Sequence, residues 1–312
     1  MARFLAWRMV QTLPVLFGVS VIAWGLVSLA PGDASRIYAR QFAESGRPTD
    51  AEVELAREEL GLDGGLVTQY RVWAGRALSG DLGKSFTTGA PVVNEMHRRV
   101  WPTVQLALGA TLVMSVVGIP LGVVAALHRN RWPDTAARLV SLSSGALPSF
   151  FVALFLIWAF AAKLGWFPSL GRGGIEHLVL PSIALGMGGA GTFTRLVRAS
   201  MLDVLSQDYV MAARAKGLRE MRVVTRHAFR NAMIPVVTQM GLTVGALLGG
   251  AAIVEVIFSW PGVGKLAIDA IAARDYPVIQ AVVLTSAIIY VLVNVAVDIA
   301  YRAIDPRIGG AT

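Results

Sequence analysis

The sequence predicts an all-α, polytopic membrane protein. It has six transmembrane helices, an external helical segment after the first, and a short cytoplasmic helix between the fourth and fifth. Three observations predict this. The 312 residues are 55% hydrophobic and only 15% charged, whereas soluble domains carry about a quarter charged residues. The apolar residues fall into six long runs. The basic residues gather in alternate connections between those runs.

A helix crossing the hydrocarbon core needs roughly 20 mostly apolar residues. Six stretches meet this: 10–30, 103–127, 137–162, 178–194, 232–254 and 278–300. The first five hold no Asp, Glu, Lys or Arg except Arg138, and the sixth holds only Asp298. The fourth is the shortest, and its ends are the least defined. Pro120, Pro148, Pro181 and Pro235 fall inside the runs, where neighbouring helices can satisfy the freed backbone groups. Arg3 and Arg8 ahead of the first run also fit a secretory signal peptide. Signal h-regions, however, run about 7–15 residues. This run has 21, with five more spans behind it, so it is read as a retained helix.

Basic residues in short loops set orientation. With the N-terminus inside, segments 1–9, 128–138, 195–231 and 301–312 are internal and hold 15 Lys and Arg. The short external loops 163–177 and 255–277 hold 4. Loop 31–102 carries nine basic and ten acidic residues, and long segments translocate largely regardless of charge. Both termini are therefore expected in the cytoplasm. The net charge of +8 is then a topology signal, and nucleic acid is not an expected partner. There is no cysteine, which excludes disulfides, thiolate metal sites and a Cys nucleophile.

The chain divides into 1–30 (an N-terminal cytoplasmic segment and the first transmembrane helix), 31–102 (an external helical segment) and 103–312 (a core of five transmembrane helices with the internal loop 195–231). In the external segment, residues 50–60 read as a helix. Thr49 is its N-cap, Glu52 falls three residues later, and Val53, Leu55 and Leu60 supply apolar positions. A second apolar-patterned stretch covers 67–78, and Gly80-Asp-Leu-Gly83 reads as a turn. The segment is either a plain helical cap over the pore mouth or a docking or substrate-handling element. In the internal loop, Asp208 is a candidate N-cap for a short helix with Tyr209, Ala212, Ala213 and Lys216 at helical spacing. Gly217 closes it. Such a helix suits a groove on a partner. Arg214, Lys216, Arg219, Arg222 and Arg226 equally suit a helix lying at the membrane interface.

These residues resemble a known family. Tyr209-Val-Met-Ala-Ala-Arg-Ala-Lys-Gly-Leu218, with Arg230-Asn-Ala-Met-Ile-Pro235 beyond it, resembles the "EAA" signature of ATP-binding-cassette importer permeases. Met211 stands where many members have an acidic residue. Leu60-Gly-Leu-Asp63, Gly80-Asp-Leu-Gly-Lys-Ser85, Ile257-Phe-Ser-Trp-Pro-Gly-Val-Gly264 and Arg274-Asp-Tyr-Pro-Val-Ile-Gln280 are similar to the dipeptide, oligopeptide and nickel branch. So are Pro31-Gly-Asp33 and Asp305-Pro-Arg-Ile308. Ala34 departs from the usual proline there.

The resemblance implies a multi-pass protein of the bacterial cytoplasmic (inner) membrane. It also implies a partner set of a second homologous permease subunit, two ATPase subunits and an extracytoplasmic substrate-binding protein, all around the lipid bilayer. Tyr209, Ala212, Ala213, Arg214, Lys216 and Gly217 would form a coupling helix seated in an ATPase groove, with Ala212 and Ala213 permitting close approach. The chain itself would hold no cofactor; ATP and magnesium would belong to the ATPase partners. The substrate implied is a di- or oligopeptide, the alternative being a nickel chelate.

Other motifs give way. Gly262-Val-Gly-Lys265 fails as a phosphate loop because Ser259 and Leu266 stand where Gly and Ser or Thr are required. Gly186-Met-Gly-Gly-Ala-Gly191 fits a dinucleotide fingerprint but lies in an apolar run without a preceding strand, so small-residue helix packing explains it better. Gly241, Gly245 and Gly249, four apart, predict another packing face. His97 and His177 are external but show no ligand spacing, so no metal site is predicted. Asn294 and Asp298 are the intramembrane polar candidates, with Arg302 as a pairing partner for Asp298. No catalytic set appears, which disfavours an intramembrane enzyme. A stand-alone secondary transporter would show internal repeats and would not need residues 209–217.

Overall fold

The computed structural model describes the backbone of residues 2–28, 33–40, 43 and 47–304. Of these, the side chains of 2–9, 27, 249, 250, 297, 298 and 300–304 are outside the description. Among the described residues every regular element is a helix, and one isolated bridge pairs Lys84 with Pro91. The helices are α1 (Ala2–Ser28), α2 (Ala34–Ala39), α3 (Asp50–Leu60), α4 (Leu66–Leu78), α5 (Val92–Leu127), α6 (Trp132–Ala146) and α7 (Ser149–Leu156). There follow α8 (Glu176–Leu205), α9 (Asp208–Ala215), α10 (Glu220–Arg222), α11 (Phe229–Gly250), α12 (Ala252–Ile257), α13 (Val263–Ala273) and α14 (Tyr276–Ile304). π-Helical stretches Ile157–Lys163 and Val223–Ala228 continue α7 and join α10 to α11.

The chain forms two compact units. The first comprises Met1–Thr103 and Pro261–Val291. In it, α3 begins with the capping box that the sequence predicts: the Glu52 N–H donates to Thr49 Oγ1, and the Thr49 N–H donates to Glu52 Oε2. Gly61 ends α3 in the left-handed conformation at φ 68°. Tyr38, Ala39, Val53, Ala56, Phe86 and Tyr276 form one core and Val92, Met96, Val263 and Leu266 anchor another. Asp275, 3% exposed, joins parts of the chain 190 residues apart. Its carboxylate accepts from the Ser85 hydroxyl and from the N–H groups of Phe86 (2.9 Å) and Thr87 (3.2 Å).

The second unit comprises Val104–Trp260 and Leu292–Thr312. Its centre is α8, whose Leu180, Ala184, Phe193, Val197 and Met201 are buried. Small residues let α5 approach it closely. A Cβ on Gly118 would sit 2.6 Å from Phe193 Cβ and 2.8 Å from the Ala190 oxygen, and one on Gly122 would sit 2.8 Å from the Thr194 oxygen. On the α8 side, a Cβ on Gly186 would fall 2.7 Å from the Ala110 oxygen, and one on Gly191 would strike the Ser141 oxygen. The Gly186–Gly191 run is thus a packing surface, as the sequence reading has it.

Two expected spans differ in shape. The run 137–162 is not one helix: Trp132–Ala146 and Ser149–Lys163 meet at 98°. Leu147 is extended (φ −85°, ψ 122°), because a residue preceding proline is pushed out of the α region. The run 232–254 is also interrupted, at Ala251, where α11 ends and α12 starts. Among the described residues, Val92–Leu127, Glu220–Leu248 and Tyr276–Ala296 are long and apolar enough to cross a membrane. The bent pair makes a fourth if it counts as one span. The first run appears as the shorter apolar stretch Val10–Leu26. The fourth run lies inside the 30-residue α8, which also carries Arg195 and Arg198.

Candidate functional site

The signature residues lie on α9, between the end of α8 and the start of α10. Gln207 is the N-cap, extended at φ −75° and ψ 147°, with no side-chain cap bond. Asp208, the expected cap, is instead the first helical residue, where its charge complements the positive end of the helix. The other end is a full Schellman closure. The Gly217 N–H donates to the Arg214 oxygen at 2.9 Å, and the Leu218 N–H donates to the Ala213 oxygen at 3.4 Å. Gly217 adopts φ +75°, and a Cβ there would meet nothing within 4 Å. Backbone conformation, not lack of space, therefore demands glycine.

Helix α9 has two faces. Val210 and Ala213 are buried with Val223, and Val204, Leu205 and Leu218 pack against them. Tyr209, Met211, Ala212, Arg214, Ala215 and Lys216 are exposed. The expected pairing of Ala212 and Ala213 on a partner-facing surface is corrected accordingly. Ala213, at 6% exposure, packs beneath the helix, and Ala212 alone faces outward.

Polar contacts fix the helix to its flanks. Arg214 reaches Glu220 through Nε (3.1 Å) and Nη2 (2.7 Å). The Tyr209 hydroxyl accepts from Asn231 Nδ2 at 2.8 Å and lies 3.5 Å from the His227 oxygen. One helix upstream, Arg198 clamps Asp134 of α6 through Nε (2.7 Å) and Nη2 (2.9 Å). The Asp134 side chain is fully buried; it also accepts from the Asn130 N–H (2.9 Å) and lies 3.6 Å from Arg138 Nε. One turn away, Arg195 donates to the Ser141 oxygen and hydroxyl at 3.1 and 2.9 Å. Sequence reasoning counted these arginines as topology signals and missed the clamp; its one visible trace was an acid, Asp134, within a basic loop.

The remaining candidates are scattered. Gly241 is half-buried and Gly245 buried on α11, while the surroundings of Gly249 lie outside the described residues. Asn294 is half-buried on α14; Asp298 and Arg302 fall among the undescribed side chains. His177 Nδ1 lies 3.4 Å from its neighbour Glu176. Gly262 is the N-cap of α13, and the Val263 N–H is already taken by Thr103 Oγ1 at 2.8 Å.

Comparison with known proteins decides the family. The model described as "Binding-protein-dependent transport system inner membrane component" matches residues 118–310, and the N-terminal model of the same system matches residues 1–107. The chain belongs to this family of importer permeases. The family is a transport permease of the inner membrane and not an enzyme class. Similar curated proteins include the glutathione transport system permease protein GsiC of Escherichia coli (strain K12) and that of Shigella flexneri serotype 5b (strain 8401). Each is 42% identical over 309 residues, covering 99% of both chains. Among solved structures, the MetNI methionine ABC transporter in an inward-facing conformation aligns with TM-score 0.59 at 21% identity, over 67% of this chain and 96% of that one. An amino acid ABC transporter with histidines aligns with TM-score 0.53 at 14% identity, over 67% of this chain and 94% of that one. The likeness is one of fold: the helical core of an ABC importer permease.

Proposed function

We propose that this permease forms half of the translocation path of an ABC importer for short peptides and that α9 couples it to an ATPase subunit. The observation that carries the reading is the build of α9. It is seated on its own chain by Val210 and Ala213, closed by a left-handed Gly217, and open to solvent through Tyr209, Met211, Ala212 and Lys216. An eight-residue helix with one anchored and one open face suits a groove on a partner. Nucleotide-driven closure of the ATPase pair then shifts the helix between two packings. A second permease subunit, two ATPases holding ATP and magnesium, and an extracytoplasmic binding protein complete the assembly. Six spans, with both termini and α9 on the cytoplasmic side, agree with the charge asymmetry. The peptide reading leans on the relatives named as glutathione permeases, since glutathione is itself a small peptide.

Gly217→Val tests the coupling role. A non-glycine residue held in the left-handed region costs roughly 1–2 kcal/mol, so the Schellman closure gives way and α9 loses its end. Peptide uptake by the reconstituted complex is expected to collapse, while docking of the loaded binding protein persists. Normal uptake by this variant would sink the assignment.

A further inference from the structure

The first unit contains a half-open cavity of about 460 Å³ that the coupling role does not use. Its walls come from α1, α3, α4, the 81–86 turn and the start of α14. Ligand pockets run about 300–1,000 Å³, mostly apolar with a few polar groups that fix orientation. Trp24, Trp73 and Phe86 provide the apolar surface here.

Polar side chains stand beside the apolar ones. Gln280 is 9% exposed and Tyr276 is 6% exposed, and both line the cavity. Among the described residues, neither the Gln280 amide nor the Tyr276 hydroxyl has a hydrogen-bond partner. Neither group is among the buried side-chain atoms left without a partner, so both polar ends reach solvent and are available to a ligand. An amide offers both donors and an acceptor, and a phenol offers one of each. Together they match a group with the same duality, such as a peptide bond.

Charges of both signs stand at the same cavity. Asp33 and Arg57 already pair at 3.3 Å. Asp81 and Arg76 have no ion-pair partner among the described residues. Asp81 accepts only the Gly83 N–H (2.9 Å), and Arg76 donates only to the Glu59 carbonyl (3.1 Å). One free carboxylate and one free guanidinium fit a zwitterion.

We infer that this cavity is a binding site for a short peptide with free ends. Asp81 receives its ammonium group, Arg76 its carboxylate, and Gln280 and Tyr276 its peptide bond. The inference rests on the peptide reading of the transported substrate and adds a holding site in the unit that contains segment 31–102. A zwitterionic lipid headgroup shares part of this chemistry, so the test separates the two.

The permease–ATPase complex, reconstituted in nanodiscs of phosphatidylglycerol without binding protein, is titrated calorimetrically with glutathione and with trialanine. Both are expected to bind, and N-acetyl-trialanine amide to bind about tenfold more weakly or not at all. Gln280→Leu and Tyr276→Phe are each expected to weaken binding by about tenfold, the equivalent of one lost hydrogen bond. Tripeptide binding that ignores both substitutions overturns the site. So does binding of phosphoethanolamine without tripeptide, which assigns the cavity to lipid. Uptake of the same peptides by the complete complex is measured in parallel. Uptake without cavity binding overturns this inference alone, whereas absence of all peptide uptake overturns the substrate reading beneath it.

Discussion

Asp134 shows how much one side chain can hold. It is fully buried and bound by Arg198 through two nitrogens. Breaking a buried pair from one side costs about 3–5 kcal/mol, because the surviving charge is left without compensation. Asp134→Ala is therefore expected to lower the melting temperature of the solubilised protein sharply. Adding Arg198→Ala should cost little more. Fully additive losses would show that the two side chains do not act as a pair. Asp33 offers a pH test in the first unit. The Ser35 hydroxyl bond, against a smaller opposing effect of burial, holds its carboxyl below the usual carboxylate range, and the Ser35 N–H and Arg57 assist. A lowered folded-state pKa gives stability that is present above the unfolded value and lost as pH falls through the folded one. Thermal unfolding followed from neutral to acid pH should thus show a shallower acid decline for Asp33→Asn than for the parent. An unchanged decline would remove Asp33 from the acid response.

At the scale of elements, the close crossing of α5 and α8 makes a sharp contrast between glycines. A Cβ on Gly118 meets Phe193 Cβ and the Ala190 carbonyl inside 3 Å, whereas one on Gly188 meets nothing within 4 Å. Gly118→Ala is expected to cost about 1–3 kcal/mol by overpacking. Gly188→Ala should be neutral or stabilising, since alanine is the better helix former. Equal melting temperatures for the two variants would deny the close crossing. The contrast also marks what was legible. The capping box of α3 and the small-residue run of α8 were readable because each is local: a spacing or a composition carries the signal. Gly118 and Gly122, which pack against α8 between Ala190 and Val197, were not singled out, because a glycine's partner lies on another helix. The break at Leu147–Pro148 was read through, since an apolar run reports what solvent a segment wants and not its direction. Ser85 and Asp275 fall in two of the family-like motifs, but nothing in the sequence says that these motifs meet across 190 residues.

The whole molecule turns on the parity of its crossings. Three apolar helices, the bent pair, α1 and α8 make the six spans of the proposed topology, and an even number returns the C-terminus to the side of the N-terminus. The bent pair decides that parity. Two helices meeting at 98° can cross the bilayer or turn back within it, and the sequence run 137–162 is the same in either case. The charge pattern argues for crossing, because Arg129, Arg131 and Arg138 cluster at one end while Lys163 and Arg172 are sparse at the other. The chain lacks cysteine, so single cysteines report cleanly. Trp132, the first residue of the pair, and Trp166, just beyond its end, are 80% and 65% exposed; Leu78 and Lys216 mark the external segment and α9. With a membrane-impermeant maleimide on right-side-out vesicles, Leu78→Cys and Trp166→Cys are expected to react while Trp132→Cys and Lys216→Cys stay silent. Inverted vesicles should reverse the pattern. If Trp132→Cys and Trp166→Cys react from the same side, the pair is re-entrant, the count becomes odd and the termini part. Labelling of Lys216→Cys from outside would go further and remove α9 from the reach of any cytoplasmic ATPase.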